Sequence, residues 1–549
     1  MSLFDPSATR ARAGCDEEAV PVGRPGDFPV GSMRMVRAGG RRLLLARTGD
    51  GFVATDLACP HQGYALTQGD LAADGTLTCS WHNWKYRLSD GACLVGEEDL
   101  RMHEVRVADG QVLVVVRNPP PEAERARLRT SLRSAIANDY LGQMARDVVR
   151  LLRADADPVE VVWEAVAWGA PRAEFGFGHA MASLVDCLQA AANLEGDARA
   201  LPVVHAVAGI AETERRRPLR PAPAPLRDLP TQPGAAFRAA IEAEDLVGAE
   251  ALLRGALRAD FGPEELRRWL VRSVSDHHLS YGHAAIYTEK AFELLELLGW
   301  DRADTVLPHL VPAVGYATRE DRLPYLRPFL RALAGVDMAG LADHDVDAGW
   351  VDDGRLRAGL LGHRADELVA ALTGALRAGS GVEGLLDTVV SVGAHRLARF
   401  DHTVETDPDE DFGWLDLSHV VTYAHAARWA WRADPGPDAL RLACWAAFLA
   451  QYAGRRGYRE VAEGTGADLG TGSSAEALCR DALGDRSGSL IMTAHLVKTT
   501  AAACAEAADR ANPDVLAGVG RFVHAPRRER FVELNVARAV DLADGRPPR

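Results

Sequence analysis

The sequence predicts a multidomain chain: one small all-β domain followed by one large all-α, repeat-like helical domain. Three observations carry this. Residues 20–118 alternate short β-rich runs with Gly, Asp and Asn turns. From about residue 128 onward, Ala- and Leu-rich stretches recur at helical spacing. Between the two, NPPPEAERARL at 118–128 reads as a Pro-rich hinge leading into a charged helix start. A chain of 549 residues is also too long for one small core.

The strands are expected at RRLLLAR, GFVATD, LTCSW and QVLVVVRN. The helical period is clear in AFELLELLGW and LVKTTAAACAEAADRAN. RPLRPAPAPLRDLPTQPG at 217–234 and EGTGADLGTGSSAE at 463–476 read as a Pro-rich and a Gly-rich loop. The expected boundaries are an extension over 1–19, the β domain over 20–118, a linker over 119–130 and the helical domain over 131–549.

Composition narrows the class of partner. Hydrophobic residues make up 47% and charged residues 25%, which fits a soluble globular chain. The net charge of −15 argues against nucleic acid and leaves a small organic substrate or a redox protein. MSLFDPSATRARAGCDEEAV has no apolar core of signal-peptide type, and no run of about 18 apolar residues marks a membrane span. The eight cysteines (Cys15, Cys59, Cys79, Cys93, Cys187, Cys444, Cys479, Cys504) are scattered and do not read as a disulfide framework. A cytoplasmic protein is expected, with assembly into a homo-oligomer left open.

The β domain carries CPHQGY at 59–64 and CSWHNW at 79–84. Cys-x-His and Cys-x-x-His on two loops supply the two thiolates and two imidazoles that a Rieske [2Fe–2S] cluster requires. Cys59 and Cys79 would hold one iron, His61 and His82 the other. The competing reading is a Cys2His2 zinc site, whose usual spacings differ. Over roughly 20–118 the sequence resembles the Rieske ferredoxin family. High-potential members carry a further cysteine in each cluster loop, whereas Gly63-Tyr64 and Ser80 stand here. The resemblance is therefore to the lower-potential ferredoxin and oxygenase type. Such a cluster moves single electrons and performs no substrate chemistry.

The helical domain repeats a histidine context. FGHA, YGHA, YAHA and TAHL place His179, His283, His425 and His495 at matching positions, and His205 and His309 each follow the first two by 26 residues. A repeated helical unit can bring equivalent positions toward one axis, where four histidines make a metal site. Histidines on apolar faces are also ordinary hydrogen-bonded core residues. No GxGxxG fingerprint opens a βαβ unit, which favours metal over flavin or nicotinamide as the electron acceptor.

Lysine usage adds a pointer. Of 62 basic residues only Lys85, Lys290 and Lys498 are lysine. Arginine stays protonated, whereas a buried lysine can become a neutral amine able to take up carbon dioxide as an anionic carbamate. Lys498 lies three residues after His495, on the same helix surface. Its residues leave two readings, a carbamate or an ion pair with Glu506 or another acid near a helix end. Lys290, beside Glu289 and Glu293, reads as an ordinary ion pair, and Lys85 as a docking or structural residue.

HLVKTTAAACAE at 495–506, LSHVVTYAHAARW at 417–429, GHAAIYTEKAFE at 282–293 and GHAMASL at 178–184 are similar to segments of the questin-oxidase-like family. That piecemeal resemblance, over about 170–525, implies an oxygenase of aromatic polyketides. It further implies one non-haem iron held by four histidines and a carboxylated lysine. Carried over, the ligands come from His179, His283, His419, His425 and His495, with Lys498 as N6-carboxylysine and His495 and Lys498 central to catalysis. His419 and His425 compete, and the repeat register ranks His425 first. A fused Rieske domain departs from that family and suggests an external ferredoxin or flavin reductase as electron donor.

A second metal reading is the 2-His-1-carboxylate iron site of ordinary Rieske oxygenases. SDHHLSYGH offers His278, His283 and Asp276 for it. A di-iron site would call for Glu-x-x-His pairs, and none occurs in the helical region.

The expected function is thus a Rieske-containing non-haem Fe(II) oxygenase. Its expected outcomes are hydroxylation, Baeyer–Villiger-type insertion or oxidative C–C cleavage of an aromatic or polyketide-type molecule. The alternative is an electron-transfer protein with a metal-free helical docking domain.

Overall fold

The computed structural model describes residues 18–528 except 118–119, 408–409, 456, 462–473, 511 and 513, together with 536 and 539–540. Most of the expected 1–19 extension, with Cys15, and most of the 463–476 loop lie outside the described residues. The chain forms two compact units, one of residues up to Asp157 with Gly196–Ala200, the other of Pro158–Glu195 with the chain from Leu201 onward.

Among the described residues the first unit contains ten strands: β1 Glu18–Gly23, β2 Met33–Ala38, β3 Arg41–Thr48, β4 Gly51–Asp56, β5 Asp70–Leu71, β6 Thr76–Thr78, β7 Lys85–Arg87, β8 Cys93–Val95, β9 Met102–Ala108 and β10 Gln111–Val116. They form a six-stranded sheet of order β1-β10-β9-β4-β3-β2 and a four-stranded sheet β5-β6-β7-β8. All pairings are antiparallel. The run Leu43–Ala46 in β3 is apolar at every position because both faces of the strand are covered. Leu43 and Leu45 join a core with Phe28, Val36 and Val112. Leu44 and Ala46 point the other way, into a core with Cys59, Cys79, Trp84 and Tyr86. That second core ties the cluster loops to the large sheet.

The segment expected as a linker is helical from Pro121, in a helix running Pro121–Asn138. Proline suits a first helical position, where its missing N–H costs nothing, and Glu122 and Glu124 complement the dipole there. A second helix, Leu141–Arg153, donates from Arg146 and Arg150 to Glu98, which draws both helices into the first unit. The compact boundary therefore falls near 157 and not at the prolines.

The second unit is helical. Four of its helices matter most: His179–Ala192, His283–Leu298, Trp414–Ala433 and Leu490–Arg510. Below they are called the His179, His283, His419 and His495 helices. Buried polar side chains on them are unusually frequent: Asp186, Glu289, Lys290, His419, Arg428, His495, Lys498 and Glu506 are all at most 4% exposed. Buried ionisable groups in such number call for partners or a ligand. The Pro-rich stretch after Glu214 is irregular until the helix Pro233–Glu242 begins, as expected. Among the described residues no helix is long and apolar enough to cross a membrane.

Candidate metal centres

Two loops of the first unit converge. One follows β4 and carries Cys59 and His61; the other joins β6 to β7 and carries Cys79 and His82. Each is closed by main-chain bonds: Cys59 N–H donates to Tyr64 O at 2.8 Å, Gly63 N–H to Cys59 O at 2.8 Å, and Cys79 N–H to Trp84 O at 2.8 Å. His82 and Asn83 sit in the left-handed region, with φ of 67° and 58°, and Gly63 at 76°. Non-glycine residues held there mark a site whose surroundings impose the conformation.

The four side chains fit the cluster. Cys59 and Cys79 are buried free thiols. The His61 and His82 rings lie 4.6 Å apart, and His61 stacks on Trp84 at 4.7 Å. His61 Nδ1 is buried without a hydrogen-bond partner among the described residues, a cost that a metal bond would remove. Tyr86 OH stands 3.2 Å from Cys59 Sγ and can donate to a thiolate. Trp81 stacks on Tyr64 and donates to Gln62 Oε1 at 3.1 Å, bracing the exposed tip. Lys85, on β7, donates to Thr78 Oγ1 at 3.3 Å and so ties the strands beneath one cluster loop.

In the second unit, four histidines from four helices meet. His179 and His283 are the first residues of their helices, so the FGHA and YGHA contexts mark equivalent positions. His283 Nε2 lies 3.0 Å from His179 Nε2 and 3.1 Å from His419 Nε2, and His419 Nε2 lies 3.2 Å from His495 Nε2. Nitrogens of His179, His283 and His495 all fall within 4.8 Å of one another.

The other ring nitrogens decide what these contacts mean. His283 Nδ1 bonds Ser280 O at 2.5 Å, His419 Nδ1 bonds Leu415 O at 2.5 Å, and His495 Nδ1 bonds Ile491 O at 2.7 Å. A carbonyl only accepts, so each Nδ1 carries the proton and each Nε2 presents a lone pair. His179 Nδ1 is 3.1 Å from Tyr287 OH. Burial, together with Lys498 and the neighbouring histidines, holds His179, His283 and His495 well below the ordinary imidazole range, and burial with Lys498 brings His419 to about 3. Neutral imidazoles with lone pairs facing one another cannot hydrogen-bond. A cation satisfies them all, and ligands at right angles with metal–nitrogen bonds of about 2.0–2.1 Å stand roughly 3.0 Å apart.

The strap before His283 is strained. Ser280 and Tyr281 have φ of 46° and 55°, and Gly282 has φ of 90°. Tyr281 N–H donates to Glu320, and Ser280 exchanges main-chain and side-chain bonds with Thr318. A Cβ at residue 282 would lie 2.3 Å from Tyr423 Cδ1. The glycine of the GHA motif is thus required by both torsion and space.

His419, not His425, joins the quartet. His425 faces away: its Nδ1 bonds Glu506 Oε1 at 2.8 Å, and its Nε2 lies 3.5 Å from Glu289 Oε1. Six residues turn a helix by about 240°, which separates the two rings as the spacing requires. His205 bonds Leu483 O at 2.8 Å, and His309 is a buried residue outside the quartet. Asp276 is taken by Arg238 and Arg441, and His278 pairs with Glu320 within a cage of Tyr423, Trp445 and Phe448. Asp276, His278 and His283 therefore form no shared site.

Lys498 is 1% exposed, and its Nζ has no hydrogen-bond partner among the described residues. The Tyr287 ring centroid lies 5.8 Å from it. Burial brings its amine down to about 7, against the carboxylates of Asp186 and Glu289. The expected pair with Glu506 is not formed, because Glu506 binds His425 and Arg428. Lys290, by contrast, is clamped by Asp186 and Glu293 at 2.8 Å each, the ion pair its neighbours suggested. A surface cavity of 540 Å³ lined by Trp350, Arg357, Glu383 and Asp387 carries none of these histidines.

The two sheets and the Cys-His loops define an iron–sulfur electron-transfer domain. Residues 18–117 match the Rieske [2Fe-2S] domain, and through them the chain belongs to that family. It is 31% identical over 125 residues to the ferredoxin component of the alkene monooxygenase system of Xanthobacter autotrophicus, covering 23% of this chain and 99% of that protein. It is 32% identical to the methanesulfonate monooxygenase ferredoxin subunit of Methylosulfonomonas methylovora, over 16% of this chain and 74% of the relative. Against the terminal oxygenase component of carbazole 1,9a-dioxygenase from a Sphingomonas species it is 27% identical, over 20% of this chain and 32% of that one.

Proposed function

We propose that the protein is a Rieske-fed, non-haem iron oxygenase of aromatic or polyketide-type small molecules. His179, His283, His419 and His495 hold the iron, and carboxylated Lys498 supplies an anionic oxygen. The observation that carries this reading is the convergence of four Nε2 atoms, three of whose rings are fixed from behind by carbonyl groups and the fourth by the Tyr287 hydroxyl. Similarity to an oxygenase component as well as to ferredoxins supports coupling of the Rieske domain to oxygen chemistry.

Bound iron would supply one-electron chemistry with dioxygen. The residues supply the rest. The carbonyl-bound Nδ1 atoms set tautomer and ring angle, Tyr287 orients His179, and the buried walls exclude water. The exposed His82 edge of the first unit is where a ferredoxin or flavin reductase would deliver electrons.

A second reading, an electron-transfer protein whose helical unit only docks a partner, draws support from the two relatives that are ferredoxin components. Iron per chain, with EPR of the reduced protein, separates the readings. The oxygenase reading expects about three irons, two of them in the cluster, falling to about two in Lys498→Arg with the Rieske signal intact. About two irons in both proteins would leave only the carrier. About three in both would keep the iron and move the anionic ligand elsewhere.

A further inference from the structure

Two half-buried thiols of the second unit, neither of them part of a metal centre, face each other. Cys504 lies on the His495 helix, nine residues after His495 and six after Lys498. Cys479 lies on the short helix Ala475–Ala482, whose start is fixed by Ser474 Oγ accepting from Ala477 N–H at 3.2 Å. Their Sγ atoms stand 3.7 Å apart, although 25 positions of sequence separate them. Cys504 Sγ also lies 3.8 Å from Ala475 O. Residues 475 and 479 are four apart, so one face of the short helix turns both a carbonyl and a thiol toward Cys504.

Both cysteines are free thiols and both are partly open to solvent. Cys187 and Cys444 differ in this respect, being at most 3% exposed. A disulfide needs its sulfurs at about 2.05 Å, so this contact is roughly 1.7 Å short of a bond. Side-chain rotation with a slight shift of the eight-residue helix covers that distance.

The contact also divides the work between the two sulfurs. A hydrogen bond from the Cys504 thiol holds Cys479 below the ordinary thiol range, against burial and the carboxylate of Asp186. The same contact, with burial, pushes Cys504 up. Cys479 is therefore the better thiolate and Cys504 the thiol beside it, the arrangement of a reactive cysteine with its resolving partner. Such a pair suits a reducing compartment, where disulfides are transient and not part of the scaffold.

We propose that Cys479 and Cys504 form a reversible oxidation site, closed to a disulfide by hydrogen peroxide and reopened by a dithiol. The Cys479 thiolate attacks one peroxide oxygen and the O–O bond breaks. Hydroxide leaves and takes up a proton to become water, and Cys479 is left as the sulfenic acid. Cys504 sulfur then attacks Cys479 sulfur, the S–S bond forms, and a second water leaves with the Cys504 proton. Two thiols lose two electrons, and one peroxide gains them. Reduction by a dithiol returns both thiols and leaves the reductant as its own disulfide. Closure ties the helix that carries His495 and Lys498 to its neighbour by a covalent bond. The site stands whether or not the histidine quartet holds iron.

The test treats full-length protein with a small excess of hydrogen peroxide, removes the peroxide with catalase, blocks remaining thiols with iodoacetamide and maps tryptic peptides by mass. Cleavage after Arg459, Arg480, Lys498 and Arg510 puts the two cysteines in separate peptides, 460–480 and 499–510, each with a single cysteine. The expected product is these two peptides joined, lighter than their sum by two hydrogens, in a chain that still runs as a monomer on a non-reducing gel. Dithiothreitol should restore both thiols. In Cys504→Ser, dimedone should capture a sulfenic acid at Cys479, and Cys479→Ser should slow loss of the Cys504 thiol by at least about tenfold. Thermal unfolding identifies a variant that fails to fold, and the wild-type peptide map then carries the test. Two unlinked thiols after a large excess of peroxide would overturn the proposal. So would sulfinic acid at either cysteine without a cross-link, or a cross-link found only between two chains.

Discussion

The Nε2 atoms of His283 and His419 lie 3.1 Å apart, and each ring has its Nδ1 proton committed to a main-chain carbonyl. Two lone pairs face each other across that gap. With the proposed iron held there, His419→Ala should lower iron from about three to about two per chain while the Rieske EPR signal persists. His205→Gln, altered at a histidine outside the quartet, should keep all of it.

Among the described residues Tyr287 is the one side-chain oxygen bonded to the back of the quartet, at His179 Nδ1. Tyr287→Phe frees that ring nitrogen without opening a large cavity. Metal affinity should fall about 10–100-fold, measured by competition with a chelator of known strength.

Gly282→Ala tests the strap. The residue has φ of 90° and no room for a Cβ against Tyr423. The change should cost roughly 1–3 kcal/mol in strain and displace His283. Denaturant unfolding and metal content should fall together, and an unaltered metal content would argue against the strap as the positioning element.

Tyr86 OH reaches Cys59 Sγ at 3.2 Å. A hydrogen bond to a cluster thiolate favours the reduced, more negative state. Tyr86→Phe should lower the Rieske potential by roughly 20–60 mV, the one-electron equivalent of a bond worth about 0.5–1.5 kcal/mol. Spectroelectrochemical titration reads it directly.

Asp147 gives a pH prediction. Burial pushes it up from 3.8 to about 6, while Ser131 donates to it at 2.6 Å. Its folded pKa lies above its unfolded one, so the fold holds a proton that the unfolded chain releases. Stability is then highest below the unfolded value and declines as pH rises through the folded one. Asp147→Asn should flatten this decline between about pH 4 and 7 and gain on wild type at the upper end, in denaturant titrations.

The cluster site was legible because its ligands sit in two short loops, and spacing alone specifies the chemistry. The helical site was legible in part. His179 and His283 share a context because both open helices, and that produces the motif. His425 shares the letters but not the role. Its partner Glu506 lies 81 residues away, on a helix whose packing no local pattern reports. His419 was reached only through a family likeness. The linker misled for a related reason: prolines that punctuate a sequence also start helices, and the bonds from Arg146 and Arg150 to Glu98 are tertiary.

The three lysines occupy three unlike settings: Lys85 on a strand bonded to a hydroxyl, Lys290 locked between carboxylates, and Lys498 buried with no bond to its amine among the described residues. The protein is in effect pre-labelled for spectroscopy. Supplying isotopic lysine would place three reporters in a chain of 549 residues, each with its own chemical shift. The state of the buried Lys498 amine could then be followed from one peak in the purified protein.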